Sequence, residues 1–203
     1  IVSELTREHV TVALTGDGGD EMFAGYPRFL AMTVAARMPW PVAAAGKTLG
    51  QMLPYNSNFR HPTRRFSQFF SAAALAPEQR MVRWMGFFSA GLDELLRTDR
   101  FGGVPRSRLL ESYRLAWARP VTGSALARTL ALNFETYLPE DLLVKADRCS
   151  MAHGLELRSP FLDTSLMEFA ASLPDRLRIR GVRQRGLKWL ISSAFSDLLP
   201  KPI

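Results

Sequence analysis

Two hundred and three residues, 47% hydrophobic and 22% charged, give an ordinary globular composition and enough chain for one large domain or two small ones. That balance excludes a disordered, collagenous or coiled-coil protein, and no apolar run reaches the roughly 18 residues that would cross a bilayer. The net charge of +7 gathers in Arg176, Arg178, Arg180, Arg183, Arg185 and Lys188, a run that reads as a solvated face and lacks the aromatic interleaving of a nucleic-acid surface.

The chain opens on Ile1 without a signal-peptide pattern and stops at Leu199-Pro200-Lys201-Pro202-Ile203, so a piece of a longer protein is expected. Cys149, the one cysteine, has no partner for a disulfide, and no Cys/His spacing suits zinc; a cytoplasmic setting follows. Cys149 reads as a small core residue, and His153 as packed or capping.

In chain order, Val10 to Leu14 is a β-branched, apolar run of the kind that forms a buried strand. Thr15-Gly16-Asp17-Gly18-Gly19-Asp20 ends it in a glycine turn. Glu21 to Met38 then reads as one helix with acids at its start. Trp40 to Met52 and Glu78 to Leu96 carry helical spacing, with a loop over Pro54 to Arg65 between them. Gly102, Gly103 and Pro105 break the chain again. Thr122 to Leu138 repeats apolar residues at Leu126, Leu130, Phe134 and Leu138, and Pro139 closes that helix. Helices are expected over Glu140 to His153, Phe161 to Leu173 and Arg185 to Leu199. The chain is thus mostly α-helical with one strand at its start, and sheet partners for that strand are expected outside the chain.

Two stretches carry charge in a pattern suited to chemistry. In the acidic glycine turn, backbone N–H groups and the carboxylates of Asp17, Asp20 and Glu21 share one rim. Bare phosphate would be repelled there, whereas Mg²⁺ between the acids and a pyrophosphate would be held. One acid could instead act as a general base, and the plain alternative is a polar turn capping the following helix. The order fits neither a Walker loop nor G-x-G-x-x-G. The second stretch sets Lys145, Asp147 and Arg148 among apolar residues, followed by Glu156, Arg158 and Ser159-Pro160-Phe161-Leu162-Asp163. Such a set is either a buried ionic network or a site for an amino-acid zwitterion, whose carboxylate suits arginine.

VALTGDGGDEMFAGYPRF and YLPEDLLVKADRCSMAHGLELRSPFLD together resemble the two signature stretches of the synthetase domain of glutamine-dependent asparagine synthetases. The resemblance continues through LMEFAASLPDRLRIRG and GLKWLISSAF and is loose between Ala31 and Ala118. It implies an α/β parent domain of adenine-nucleotide α-hydrolase type, of which residues 1–203 are a partial carboxy-terminal synthetase portion. The implied reaction uses ATP and Mg²⁺ to convert aspartate to β-aspartyl-AMP, which ammonia from glutamine then attacks. The implied partners are these small molecules and a glutaminase domain of the same protein, with no nucleic acid and no membrane; a homodimer stays open.

By the resemblance, Thr15, Gly16, Gly18 and Gly19 contact ATP, and Asp17 governs formation and attack of the acyl-adenylate. Asp20, with Glu21 beside it, holds the metal-pyrophosphate. Lys188 is a catalytic cation, and Lys145, Arg148, Glu156 and Arg158 form the substrate side. Asp17 stands where many members carry Glu. The family's S-G-G-x-D-S pyrophosphate loop is missing from these residues; Ser89-Ala90-Gly91-Leu92-Asp93-Glu94 is a superficial look-alike. The R-x-K-x-G-F stretch and the glutaminase cysteine are missing too, so the chain alone is expected to be inactive. A relative amidating or cyclising another carboxylate, and a catalytically silent helical assembly module, are the alternatives.

Overall fold

The computed structural model describes residues 1–54, 56–58, 61–86, 108, 110–121, 123–181 and 186–198. The look-alike loop at 89–94, the breaks at 102–105, and Arg183 and Arg185 lie outside the described residues. The chain divides into two compact units, Ile1–Leu30 with Val121–Ile203, and Ala31–Pro120.

The first unit contains both signature stretches. After helix α1 (Val2–Arg7), strand β1 (Val12–Leu14) pairs in parallel with β2 (Glu156–Arg158), in the register Val12 with Glu156, Ala13 with Leu157 and Leu14 with Arg158. The expectation that the partners of β1 lie outside the chain is therefore corrected: one of them is the Glu-Leu-Arg run itself. Both strands alternate, with Ala13 and Leu157 half-buried and Val12, Leu14, Glu156 and Arg158 exposed, so β1 is not the buried strand its composition suggested.

The helix expected over Glu21 to Met38 is two helices, α2 (Gly19–Phe23) and α3 (Pro27–Ala36). Ala24 ends the first in a left-handed conformation at φ 57°, and Gly25 N–H closes the turn on Asp20 O at 2.9 Å. Pro27 cannot supply an N–H to continue α2 but suits the first turn of α3. Phe23, Ala170 and Leu173 form the core here, with Phe161, Leu166 and Leu190 packed around them. Burying Phe23 contributes about 2–3 kcal/mol.

In the second unit, α4 (Trp40–Met52) has the extent read from its spacing. α5 (Pro62–Ala73) starts inside the stretch expected as a loop, because His61 caps it and Pro62 opens it. α6 (Pro77–Met85) and α7 (Glu111–Ala118) follow. Ala35, Ala43 and Ala73 let aromatic side chains close over them, and Phe69 stacks on Trp84 with centroids 5.7 Å apart.

Back in the first unit, α8 (Ala125–Glu135) is capped by Ser124, whose hydroxyl accepts Ala127 N–H at 3.1 Å. Pro139 does not close this helix into a clean break. It sits in the first turn of a π-helical stretch, Leu138–Leu143, that runs on into α9 (Val144–Met151). A proline with no N–H to give favours such a widened turn. After β2, a 3₁₀ turn (Pro160–Leu162) precedes α10 (Thr164–Ser172), whose first N–H groups at Ser165 and Leu166 donate to Asp163 Oδ1 at 3.0 and 3.2 Å. α11 (Asp175–Arg178) and α12 (Trp189–Ala194) complete the described elements.

Candidate active site

At the carboxyl end of β1, the chain turns and three polar side chains line up. Ser159 and Thr15 share a 2.7 Å hydrogen bond between hydroxyls, and Thr15 Oγ1 donates to Asp17 Oδ2 at 3.0 Å. With the Thr15 proton committed to the carboxylate, Ser159 donates to Thr15. Thr15 N–H also donates to Arg158 O at 2.8 Å, so the backbone ladder and the side-chain chain point the same way. Asp17 is half-buried, with Oδ2 held by Thr15.

The glycines of the turn differ in what they do. Gly18 has φ 90°, and a Cβ there would collide with Leu162; a Cβ on Gly19 would lie 3.3 Å from the Phe161 ring. Their lack of a side chain therefore seats the turn on Pro160–Leu162. Gly16 alone of the three has open space beside it. α2 spans only five residues, too short for the helix-start field expected at this rim.

The two adjacent acids of α2 reach different partners. Asp20 Oδ1 meets Lys188 Nζ at 2.8 Å, with each side chain 35% exposed. Lys188 holds φ 50°, a left-handed conformation that costs a non-glycine residue about 1–3 kcal/mol. Glu21 is buried at 1% exposure and accepts the Tyr26 hydroxyl at 2.7 Å. Burial, then the bond to Glu21, push the Tyr26 hydroxyl well above its ordinary pKa of 10.0. Among the described residues, no group of three or more His, Cys, Asp or Glu side chains gathers as a metal site.

Arg28 completes the wall. Its guanidinium lies 3.8 Å from the Tyr26 ring centroid and 4.6 Å from that of Tyr137, and Nη2 donates to Asn133 Oδ1 at 3.1 Å. Besides the strand pairing, side chains of the two signature stretches meet at Thr15 with Ser159 and at Arg28 with Tyr137. Ser159, Gly25, Tyr26 and Arg28 are absent from the sequence-based site. Ser159 was visible only as the residue before Pro160, and Gly25 only as a glycine beside an aromatic residue.

The second constellation is not a buried network. Lys145 lies 3.9 Å from Asp141 one turn away, Glu156 and Arg158 pair at 2.7 Å across their own strand, and all four side chains are more than half exposed. Asp147, Arg148, Cys149 and His153 are exposed as well, which corrects the core reading of Cys149 and the packed reading of His153. α9 buries Ser150 and half-buries Ala146, a stripe narrow enough for every charge to reach water. The basic run is corrected in the opposite direction at Arg178. That side chain is 3% exposed and donates to Ala170 O and, at 2.9 Å, Ala171 O, closing the carboxyl end of α10. A cavity of about 520 Å³ opens on the Glu21 side of α2, lined by Glu21, Met22, Leu130, Phe134, Met167 and Arg178 among others. It is mainly apolar and includes neither Asp17, Asp20 nor Lys188.

A family model described as asparagine synthase matches residues 1–203. The chain is 24% identical to glutamine-hydrolysing asparagine synthetase 1 of Bacillus subtilis (strain 168) over 205 residues, covering 100% of this chain and 30% of that protein. It is 28% identical over 212 residues to a putative glutamine-hydrolysing asparagine synthetase of Mycobacterium tuberculosis (strain ATCC 25618 / H37Rv), covering 98% of this chain and 29% of that protein. Against the Gallus gallus glutamine-hydrolysing asparagine synthetase it is 37% identical over 107 residues, 51% of this chain and 18% of that one. The chain therefore spans about 30% of the length of the bacterial relatives it matches. No solved structure gives a significant match. On the match along its whole length, the chain belongs to the asparagine synthase family.

Proposed function

We propose that this chain is part of the synthetase domain of an enzyme that amidates aspartate to asparagine at the expense of ATP, with ammonia supplied from glutamine by a glutaminase domain. The parent domain is of the α/β, adenine-nucleotide α-hydrolase type, and the setting is cytoplasmic. A side-chain carboxylate oxygen of aspartate attacks the α-phosphorus of ATP, pyrophosphate leaves, and β-aspartyl-AMP forms. Ammonia then attacks the β-carbonyl carbon, loses a proton, and AMP departs with the oxygen that bridged the two groups.

The observation that carries this reading is the meeting of residues from both signature stretches at the end of β1, with Lys188 reaching the adjoining helix α2 at Asp20. Thr15 and Gly16 flank the nucleotide. Asp17, oriented by the Ser159–Thr15 hydrogen bonds, stabilises the cation that ammonia becomes on attack and takes its proton. Lys188 faces the departing pyrophosphate, since a developing multiple negative charge needs a fixed cation. Asp20 keeps that lysine in place, and Glu21 supports the turn through Tyr26. Lys145, Arg148, Glu156 and Arg158 remain proposed as the aspartate side, as exposed groups that substrate would draw together.

The Mg²⁺ implied by the family does not find a ready site in the described residues: Asp20 is taken by Lys188, and Glu21 is turned to Tyr26.

Aspartate-dependent exchange of labelled pyrophosphate into ATP, measured on the full reading frame containing this chain, tests the reading. Exchange that requires aspartate and disappears in Lys188→Met supports it, as does an Asp17→Asn variant that keeps exchange but loses asparagine formation from ammonia. Exchange driven by a different carboxylic acid would point to the relative acting on another acceptor, and none with any acid to the silent module. The 203-residue chain alone, without S-G-G-x-D-S, is expected to give no asparagine.

A further inference from the structure

We propose that Gly25 is a positioning residue, whose missing side chain leaves the seat in which the Asp20 carboxylate and Lys188 meet. Glycine is usually required where backbone turns left-handed, but that is not the reason here. The positive φ of this turn falls on Ala24, at 57°, while Gly25 is not among the positive-φ glycines of the described residues. What remains is space. A Cβ built on Gly25 would overlap Asp20 Oδ1 and Lys188 Cε and would lie 2.6 Å from Asp20 Cγ; these are its three nearest neighbours.

All three neighbours belong to the side chains of the pair, none to backbone. A methyl group at position 25 therefore displaces the ends of two movable side chains and leaves the turn able to form. Its own closing bond, Gly25 N–H to Asp20 O, does not involve the side chain. The turn is anchored independently on its other flank by Tyr26 and Glu21. Loss of the pair releases Lys188, which sits at the start of α12 in a left-handed conformation, from the partner that orients its ammonium.

The seating follows from the geometry alone, whereas its catalytic consequence rests on the proposed role of Lys188 toward pyrophosphate. The two are separable by experiment on the full reading frame. Labelling of Lys188 with an amine-reactive reagent, followed by peptide mass spectrometry, reads the pair directly. Gly25→Ala is expected to raise labelling roughly two- to fivefold, as expected for release of a partly exposed ion pair. Asp20→Asn is expected to give the same rise, and the double variant no more than either. In pyrophosphate exchange, Gly25→Ala is expected to raise KM for pyrophosphate while KM for aspartate stays put. Unchanged labelling, or effects of Gly25→Ala and Asp20→Asn that multiply, overturns the proposal. A shifted labelling rate in a protein with no exchange activity upholds the seat and sinks the proposed function.

Stability provides a second reading that does not depend on Gly25→Ala remaining highly stable. Gly25→Ala is expected to lower Tm in the native background but to leave it unchanged in Asp20→Ala/Lys188→Ala, where the overlapping atoms are gone. An equal loss in both backgrounds means that backbone, not the pair, requires the glycine, and the proposal fails.

Discussion

Asp17 owes its orientation to two hydroxyls, and each can be removed without adding bulk. Asp17→Asn keeps the shape and removes the base; a fall of about 10²- to 10⁴-fold in kcat for asparagine formation is expected, with KM for aspartate little changed. Steady-state kinetics of the full reading frame check this, and an unaltered kcat removes Asp17 from the chemistry. Tyr26 gives a test by pH. Its pKa is raised on folding, so above its ordinary value of 10.0 the unfolded chain releases a proton that the folded chain keeps. The stability linked to Tyr26 is therefore full below that pH and is lost as pH rises above it. Tyr26→Phe is expected to cost about 1 kcal/mol near neutrality through the lost bond to Glu21, and to flatten the decline above about pH 10. Denaturant titrations at several pH values decide; parallel curves for both proteins contradict the assignment. Asp17 and Asp20 stood out in the sequence as acids beside glycines after a strand, whereas Lys188 was singled out only through the family resemblance. Gly25 and Ser159 did not stand out, because what they do depends on neighbours far along the chain.

Among elements, α10 shows a signature motif holding structure. Asp163, the last residue of S-P-F-L-D, accepts from Ser165 and Leu166 at the helix start. Asp163→Ala is expected to cost about 1 kcal/mol, a fall in Tm of roughly 2–4 °C for a chain of this size. Calorimetry reads it, and a Tm within error of the native value shows that the cap contributes nothing. The extent of α4 could be read directly, since its spacing runs from Trp40 to Met52 without a competing signal. The break between α2 and α3 was hidden because apolar spacing continues across Ala24 and Gly25, while the decision lies in one left-handed residue and Pro27. β2 escaped for a related reason. The three residues of β2 are too few to show a period, and only pairing with β1 makes them a strand.

For the whole molecule, both ends of the matched chain contribute to the candidate site. Residues 12–28 bring the acids and glycines, 133–163 bring Asn133, Tyr137 and Ser159, and Lys188 arrives from the final segment. That assembly belongs to one unit, and the other unit, Ala31–Pro120, is where the family resemblance in sequence is loosest. The family was legible because two long motifs occur in the right order. The parallel pairing that joins them was not, since separation along the chain conceals which strands are neighbours. The charge of +7 likewise gave no direct account of its use: within the basic run Arg178 is buried as a helix cap and Lys188 is paired with Asp20.

The central claim is that carboxylate activation occurs by transfer to the α-phosphorus of ATP. It is tested most directly by following oxygen from aspartate labelled with ¹⁸O in its side-chain carboxylate during asparagine synthesis by the full reading frame. The expected result is one labelled oxygen in the phosphate of AMP for each asparagine formed. Label in inorganic phosphate released together with ADP, or no transfer at all, contradicts the account.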